Sequence, residues 1–257
     1  MASHYDDVGS GLAILFSHGT LMDRTMFIPQ LADLSAHYRC IAFDSRARTD
    51  RWRGPYTLDD MADDCRQLRD DLGIEKCVLT GMSLGGFMGF RFALRYPDRL
   101  AGLVFISTQA KSDPDEHERF GGWFDKLRRE RFVTKEFADW CADVCFGATT
   151  KKLYPAIATH WRDRWMTMSG ESVYRESQTW LRRENLEKKI EAIKTPTLVI
   201  HGDEDIPIPL DRVRPMTTTM PDAKLVIVKG CGHTANVEAP RETNEATRDF
   251  MQRLHGG

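Results

Sequence analysis

The stretch Cys77-Val78-Leu79-Thr80-Gly81-Met82-Ser83-Leu84-Gly85, continuing into Gly86-Phe87-Met88-Gly89-Phe90-Arg91-Phe92-Ala93-Leu94, decides the fold. A GxSxG pentapeptide occurs often by chance. Here, however, a short apolar run reading as a buried strand precedes Gly81, and a helical run follows Gly85. A strand that turns sharply into a helix forces the residue at the turn into a strained backbone, so its neighbours two positions away must lack side chains. The alternative is a glycine-rich turn whose serine only caps the helix.

Working outward, the same pattern recurs. Leu12 to Phe16 ends at Ser17-His18-Gly19-Thr20, Cys40 to Phe43 at Asp44, Leu103 to Ile106 at Ser107, Leu198 to Ile200 at His201-Gly202, and Leu225 to Val228 at Lys229-Gly230. With Cys77 to Thr80 these make six candidate strands, each buried on both faces. Leu58, Met61, Cys65, Leu68 and Leu72 keep helical spacing behind Thr57, with Asp60 placed for an N-cap. Strands alternating with helices predict an α/β fold with a mostly parallel central sheet flanked by helices. Phe250, Met251 and Leu254 read as a closing core helix.

The alternation breaks over 110–190, which holds Trp123, Trp140, Trp161, Trp165 and Trp180, five of the six tryptophans. Indoles bury large apolar areas and seek cover. This segment is therefore expected to be a helical cap inserted between core strands, with 1–109 and 191–257 forming the core, because open α/β sheets bind ligands over their strand ends. A helical subdomain that only adds stability is the alternative.

Composition narrows the class. With 36 Lys+Arg against 38 Asp+Glu the net charge is −2, which gives no pull toward nucleic acid or anionic membrane. MASHYDDVGS at the start holds no signal-length apolar run, and no segment approaches membrane-spanning length, so the expected location is the cytoplasm. The six cysteines show no zinc-ribbon spacing, and no metal is expected; Cys141 and Cys145 share a helical face and are read as packing thiols.

A serine hydroxyl is a poor nucleophile unless a base reaches it. Among eight histidines, His233 in Gly230-Cys231-Gly232-His233-Thr234 follows the last strand at its C-terminal end and is the candidate base. His18 and His201 sit near the same rim and are read as turn supports. The imidazole needs an acid to fix its tautomer, and Asp203, Glu204 and Asp205 follow the preceding strand in a row. The chain order nucleophile, acid, histidine is met by this cluster.

Together these motifs resemble the α/β-hydrolase superfamily over nearly the whole length, from Ser17-His18-Gly19-Thr20 to the last helix, and within it the capped serine esterase, enol-lactonase and cofactor-free perhydrolase branch. The resemblance implies that the acid is Asp205, three residues after the strand-end glycine, with Asp203 next in line. Members carrying the acid one strand earlier would use Asp113. It also implies an oxyanion hole built from the backbone amides of Thr20 and Leu84, and no cofactor. Two features depart from the family. Asp44-Ser45-Arg46 is followed by Ala47-Arg48-Thr49 where an Asp-x-Arg-Gly-x-Gly loop is usual, and only one strand fits before Leu12.

The expected chemistry is acyl transfer from a small-molecule ester or lactone through an acyl-enzyme on Ser83. Carbon–carbon bond hydrolysis or perhydrolysis on the same triad is the alternative, and a non-catalytic ligand receptor a further one. Leu21, Met82, Trp123, Trp140, Phe146, Trp161, Trp165 and Met166 are the expected pocket walls. Arg162, Arg164, Arg175, Arg182 and Arg183 are read as solvated charge rather than as a carboxylate site.

Overall fold

Alternation along each strand assigns every second side chain to one face of the sheet. Ile14, Phe16, Val78, Val104, Ile106, Leu198 and Ile200 pack in one core cluster, and Leu15, Ile41, Leu79, Leu103, Phe105 and Val199 in the other. These strands carry apolar residues on both sides because helices cover both. In the computed structural model, which describes residues 4–112 and 115–255, the strands are β1 (Tyr5–Val8), β2 (Ala13–Ser17), β3 (Arg39–Phe43), β4 (Cys77–Met82), β5 (Leu100–Ile106), β6 (Thr197–Gly202) and β7 (Ala223–Val228). They form one sheet in the order β1-β3-β2-β4-β5-β6-β7, parallel except for β1. All six predicted strands are present.

One strand does stand in the room left before Leu12, and one of the six expected strands is less covered than its sequence suggests. β1, with its polar Asp6 and Asp7, adds an antiparallel edge strand whose register pairs Tyr5 with Phe43. β7 is an edge strand too, so most of it is half-buried rather than covered on both faces.

Along the chain the helices are α1 (Ile28–Leu34), α2 (Leu58–Asp71), α3 (Leu84–Arg95), α4 (Gly122–Lys126), α5 (Lys135–Cys145), α6 (Ala148–Leu153), α7 (Pro155–Trp165), α8 (Gly170–Leu181), α9 (Leu210–Thr219), α10 (Ala235–Glu238) and α11 (Pro240–His255). α1 and α11 pack on one sheet face, and α2, α3 and α9 on the other. The Thr57 N-cap of α2 is a full capping box: Asp60 N donates to Thr57 Oγ1 and Thr57 N to Asp60 Oδ2. Such a cap is worth about 1 kcal/mol. Helices α4 to α8 all fall between β5 and β6.

The registers bring the strand ends level. Ser17 lies beside Phe43 and Gly81, Met82 beside Ile106, and Gly202 beside Val228. The segments leaving β2, β4, β6 and β7 therefore meet along one rim.

β4 can enter α3 so steeply only because two side chains are missing. A Cβ on Gly81 would lie 2.4 Å from the Gly85 carbonyl oxygen, and one on Gly85 would lie 2.1 Å from that of Ser17. Backbone cannot yield as a side-chain tip can. Gly85→Ala is expected to destabilise by about 2–3 kcal/mol or more, as core overpacking does, read as a drop in the urea midpoint; an unchanged midpoint would show that β2 and α3 can separate freely.

Candidate active site

Ser83 occupies the turn between β4 and α3 with φ 48° and ψ −107°. A non-glycine residue held there costs on the order of 1–3 kcal/mol. Bonds on both sides fix it: Ser83 N donates to the Ile106 carbonyl at 2.9 Å, and the Ser83 carbonyl accepts from Phe87 N at 2.9 Å and from Thr108 Oγ1 at 3.0 Å.

His233 stands in the loop after β7, and its backbone is tied on three sides. His233 N donates to the Cys145 carbonyl at 2.8 Å, while Gly232 N and Thr234 N both donate to the Glu238 carboxylate at 3.0 Å. Glu238 also accepts from Gly147 N at 2.8 Å, which joins the histidine loop to the start of α6. Sequence reading missed Glu238, for a glutamate in a short helix carries no local signal.

The side chains then line up. His233 Nε2 lies 2.9 Å from Ser83 Oγ, and His233 Nδ1 lies 2.8 Å from Asp205 Oδ2 and 3.0 Å from Oδ1. All three residues are buried. Asp205 also accepts from Ile208 N at 2.9 Å, which turns its carboxylate toward the ring.

The three adjacent carboxylates have parted company. Asp203 faces outward, accepting from Gly230 N at 2.7 Å with Lys229 Nζ at 3.3 Å. Glu204 accepts from Thr149 N and Oγ1 at 2.8 and 2.6 Å. Only Asp205 reaches His233, and Asp113 lies outside the described residues.

His18 and His201 both support turns from buried positions, and burial lowers the pKa of each. His18 Nδ1 bonds the Gly19 carbonyl at 2.8 Å and its Nε2 accepts from Ser45 N at 2.9 Å. His201 Nε2 bonds the Ile208 carbonyl at 2.7 Å and lies 3.3 Å from Asp205 Oδ2, behind the acid.

Leu84 opens α3, and the first amides of a helix have no partner within it. Thr20 stands across the cleft and lines the cavity over Ser83. The cavity has a volume of about 90 Å³ and contains Ser83 and His233 in its wall. A wider groove along β7 and α11 has neither serine nor histidine in its lining.

The expected pocket walls divide. Leu21, Met82 and Trp140 line the cavity; Trp123, Phe146, Trp161, Trp165 and Met166 do not. Trp123 stacks behind Trp140, with ring centroids 4.9 Å apart at 10°. Phe146 and Trp165 stack on each other at 6.0 Å, deep in the core cluster to which Trp161 also belongs. In their place stand Phe120, Phe124 and Trp180, with Phe124 edge-on to Trp180.

Nor is Arg183 a solvated charge. It is buried in the cavity wall, over the Phe87 ring at 4.1 Å, and paired with the buried Glu116. Cys141 and Cys145 on α5 also line the cavity; burial, with Asp205 and Glu238 adding to it, pushes the Cys145 thiol up to about 12. Both remain thiols at neutral pH.

A buried serine, imidazole and carboxylate in this order can pass a proton from the hydroxyl to Nε2 while Nδ1–H goes on donating to the carboxylate. The model of the alpha/beta hydrolase fold family matches residues 13–240. The chain belongs to the α/β-hydrolase family. This α/β-hydrolase is similar to a thermophilic esterase from Thermogutta terrifontis, with 30% identity, a TM-score of 0.92, and 98% of this chain and 93% of that one covered. It is similar as well to the enol-lactonase from Burkholderia xenovorans LB400, with 25% identity, a TM-score of 0.89, and 97% and 96% covered. Among curated sequences it resembles the putative carbamate hydrolase RutD of Caulobacter sp. (strain K31), 27% identical over 265 residues that span 96% of this chain and 95% of that protein. The α/β-hydrolase described here is thus a hydrolase, and among its described residues no helix is long and apolar enough to cross a membrane.

Proposed function

We propose that the protein cleaves a small carboxylic ester or lactone through an acyl-enzyme on Ser83. The 2.9 Å contact between His233 Nε2 and Ser83 Oγ, inside a cavity and backed by Asp205, carries this reading. Ser83 attacks the carbonyl as His233 takes its proton. Thr20 N–H and Leu84 N–H receive the oxyanion, and removing one such donor typically costs on the order of 10² to 10³ in rate. His233 then protonates the leaving alcohol and activates the water that frees the acid. A nearby enol-lactonase and esterase on the same fold support this bond class, and a carbamate carbonyl would meet the same groups.

In this reading the π-helical turn His117–Gly121 and helices α4 to α8 act as a cap over the rim, the turn supplying Phe120 and the helices Phe124, Trp140 and Trp180 to the substrate. A volume of about 90 Å³ suits a short acyl group, since drug-sized ligands fill roughly 300 Å³ or more. Six free cysteines, five of them buried, support function in the reducing cytoplasm.

Mixing the protein with p-nitrophenyl acetate and quenching in acid within the first turnovers tests the reading. A burst of p-nitrophenol with one acetyl group on the Ser83 peptide is expected. Acetylation elsewhere, or p-nitrophenol release that survives undiminished in Ser83→Ala, would overturn it.

A further inference from the structure

Glu176 carries a completely buried carboxylate on α8, and it touches neither the cavity nor the reacting atoms. Its Oε2 accepts from Leu21 N at 3.1 Å, across 155 positions of sequence, and from Arg48 Nη2 at 2.9 Å. Its Oε1 accepts from Ser45 Oγ at 3.3 Å. Arg48 in turn donates from Nε to the Met22 carbonyl at 2.8 Å. One buried ion pair thus takes the N–H of Leu21 and the C=O of Met22, one backbone group from each of the two residues that follow Thr20.

Leu21 needs that hold. Its φ is 65°, a left-handed conformation that a leucine leaves unless its surroundings impose it. The Gly19 carbonyl, which shares its peptide plane with the Thr20 N–H, accepts from His18 Nδ1 at 2.8 Å and from Met22 N at 3.1 Å, and His18 Nε2 is bonded to Ser45 N in the loop that carries Arg48. The peptide plane that carries the Thr20 N–H and the next one, which carries the Leu21 N–H, are therefore held by His18 with the 45–48 loop behind it, by the Met22 amide, and by Glu176 on α8.

We infer that Glu176, together with Arg48, is a positioning residue of the oxyanion hole, through which the helical segment sets the direction of the Thr20 N–H. This rests on Thr20 being an oxyanion donor. Stability alone is a weak reason for such a pair, because a buried ion pair can often be exchanged for apolar residues at no loss. Direction is a stronger one: a carboxylate can take an amide and a guanidinium at once, and an apolar side chain can take neither. The missing glycines make sense here. Arg46–Arg48 form a 3₁₀ turn, with Ala47 buried and Thr49 extended, and this turn carries the Arg48 side chain in beneath Leu21 and Met22.

The test compares wild type with Glu176→Ala, Glu176→Gln and Arg48→Met. Readouts are kcat and KM for a p-nitrophenyl ester per folded molecule, the affinity of a short alkylboronic acid, and amide exchange across Thr20–Met22. Misplacement of a reacting group by about 1 Å costs up to roughly 10²-fold. A kcat lowered about 10-fold or more in Glu176→Ala is expected, with KM within about 2-fold, boronate affinity lowered in step, and partial recovery in Glu176→Gln, whose amide oxygen still serves Leu21 N–H.

Wild-type kcat and boronate affinity in Glu176→Ala would overturn the inference. If that variant does not fold, Glu176→Gln and Arg48→Met carry the comparison, and wild-type values in both would overturn it equally. Should wild type itself release no p-nitrophenol, the ester reading fails on its own. The clamp is then judged by exchange: faster exchange at Leu21 in Arg48→Met supports it, and unchanged exchange overturns it.

Discussion

Ser83→Ala should lose at least about three orders of magnitude in p-nitrophenyl ester turnover while keeping the wild-type urea midpoint. The hydroxyl forms one outward hydrogen bond, to His233 Nε2, so its removal leaves a small gap at the cavity wall rather than a hole in the core. The alanine can keep φ 48° because the same three backbone bonds still hold the turn. His233→Ala should lose a similar amount, and the double variant little more, since a nucleophile without its base and a base without its nucleophile fail at the same step. Independent losses that multiply in the double variant would mean that the two side chains serve different steps.

Asp205→Asn should cost about 10³ to 10⁴ in kcat, with a much smaller change in KM. The present carboxylate accepts from His233 Nδ1 and Ile208 N, with His201 Nε2 at 3.3 Å. An amide can turn only one oxygen to these donors. If that oxygen serves Ile208 N–H, the NH₂ faces Nδ1 and drives the imidazole into the tautomer with its proton on Nε2, where it can no longer accept from Ser83. Asp203→Asn, two residues away, should stay within about 2-fold of wild type, because Asp203 faces outward, accepting from Gly230 N and pairing with Lys229 at the surface. The opposite ranking of the two variants would move the acid to Asp203.

The rim of strand ends was readable because its requirements are local. GxSxG needs small residues at fixed offsets, and the Cβ contacts at Gly81 and Gly85 show why. Cys77 to Thr80 and Leu103 to Ile106 betray themselves as strands because both of their faces are covered. β1 stands at a sheet edge with an aspartate on each face, so Tyr5-Asp6-Asp7-Val8 gives little periodic signal. The aromatic segment was harder still. Helical spacing says that Trp140 and Trp161 are amphipathic positions, but only packing decides that one indole meets the cavity and the other the core. Phe120 belongs to a π-helical turn, His117–Gly121, that leads into α4, a local irregularity no periodicity announces. Glu116, Glu176 and Glu238 escaped notice for a different reason. Charged residues read as surface, and what buries these three is a partner far away in sequence.

The bonds from Cys145, Gly147 and Thr149 to the β6 and β7 loops bear on how this scaffold can be recombined. Exchanging everything between β5 and β6 for the corresponding segment of a relative would look like a clean graft, with both junctions in the core sheet. It would also replace the anchor of the His233 main chain, the Gly147 and Thr149 amides that donate to Glu238 and Glu204, and the glutamate beneath Leu21. A chimera made this way would carry a displaced His233 along with its new segment. Breakpoints that leave residues 145–149 and 176 with the recipient would let the rest of the segment be exchanged with the bonds that hold His233 and Leu21 intact.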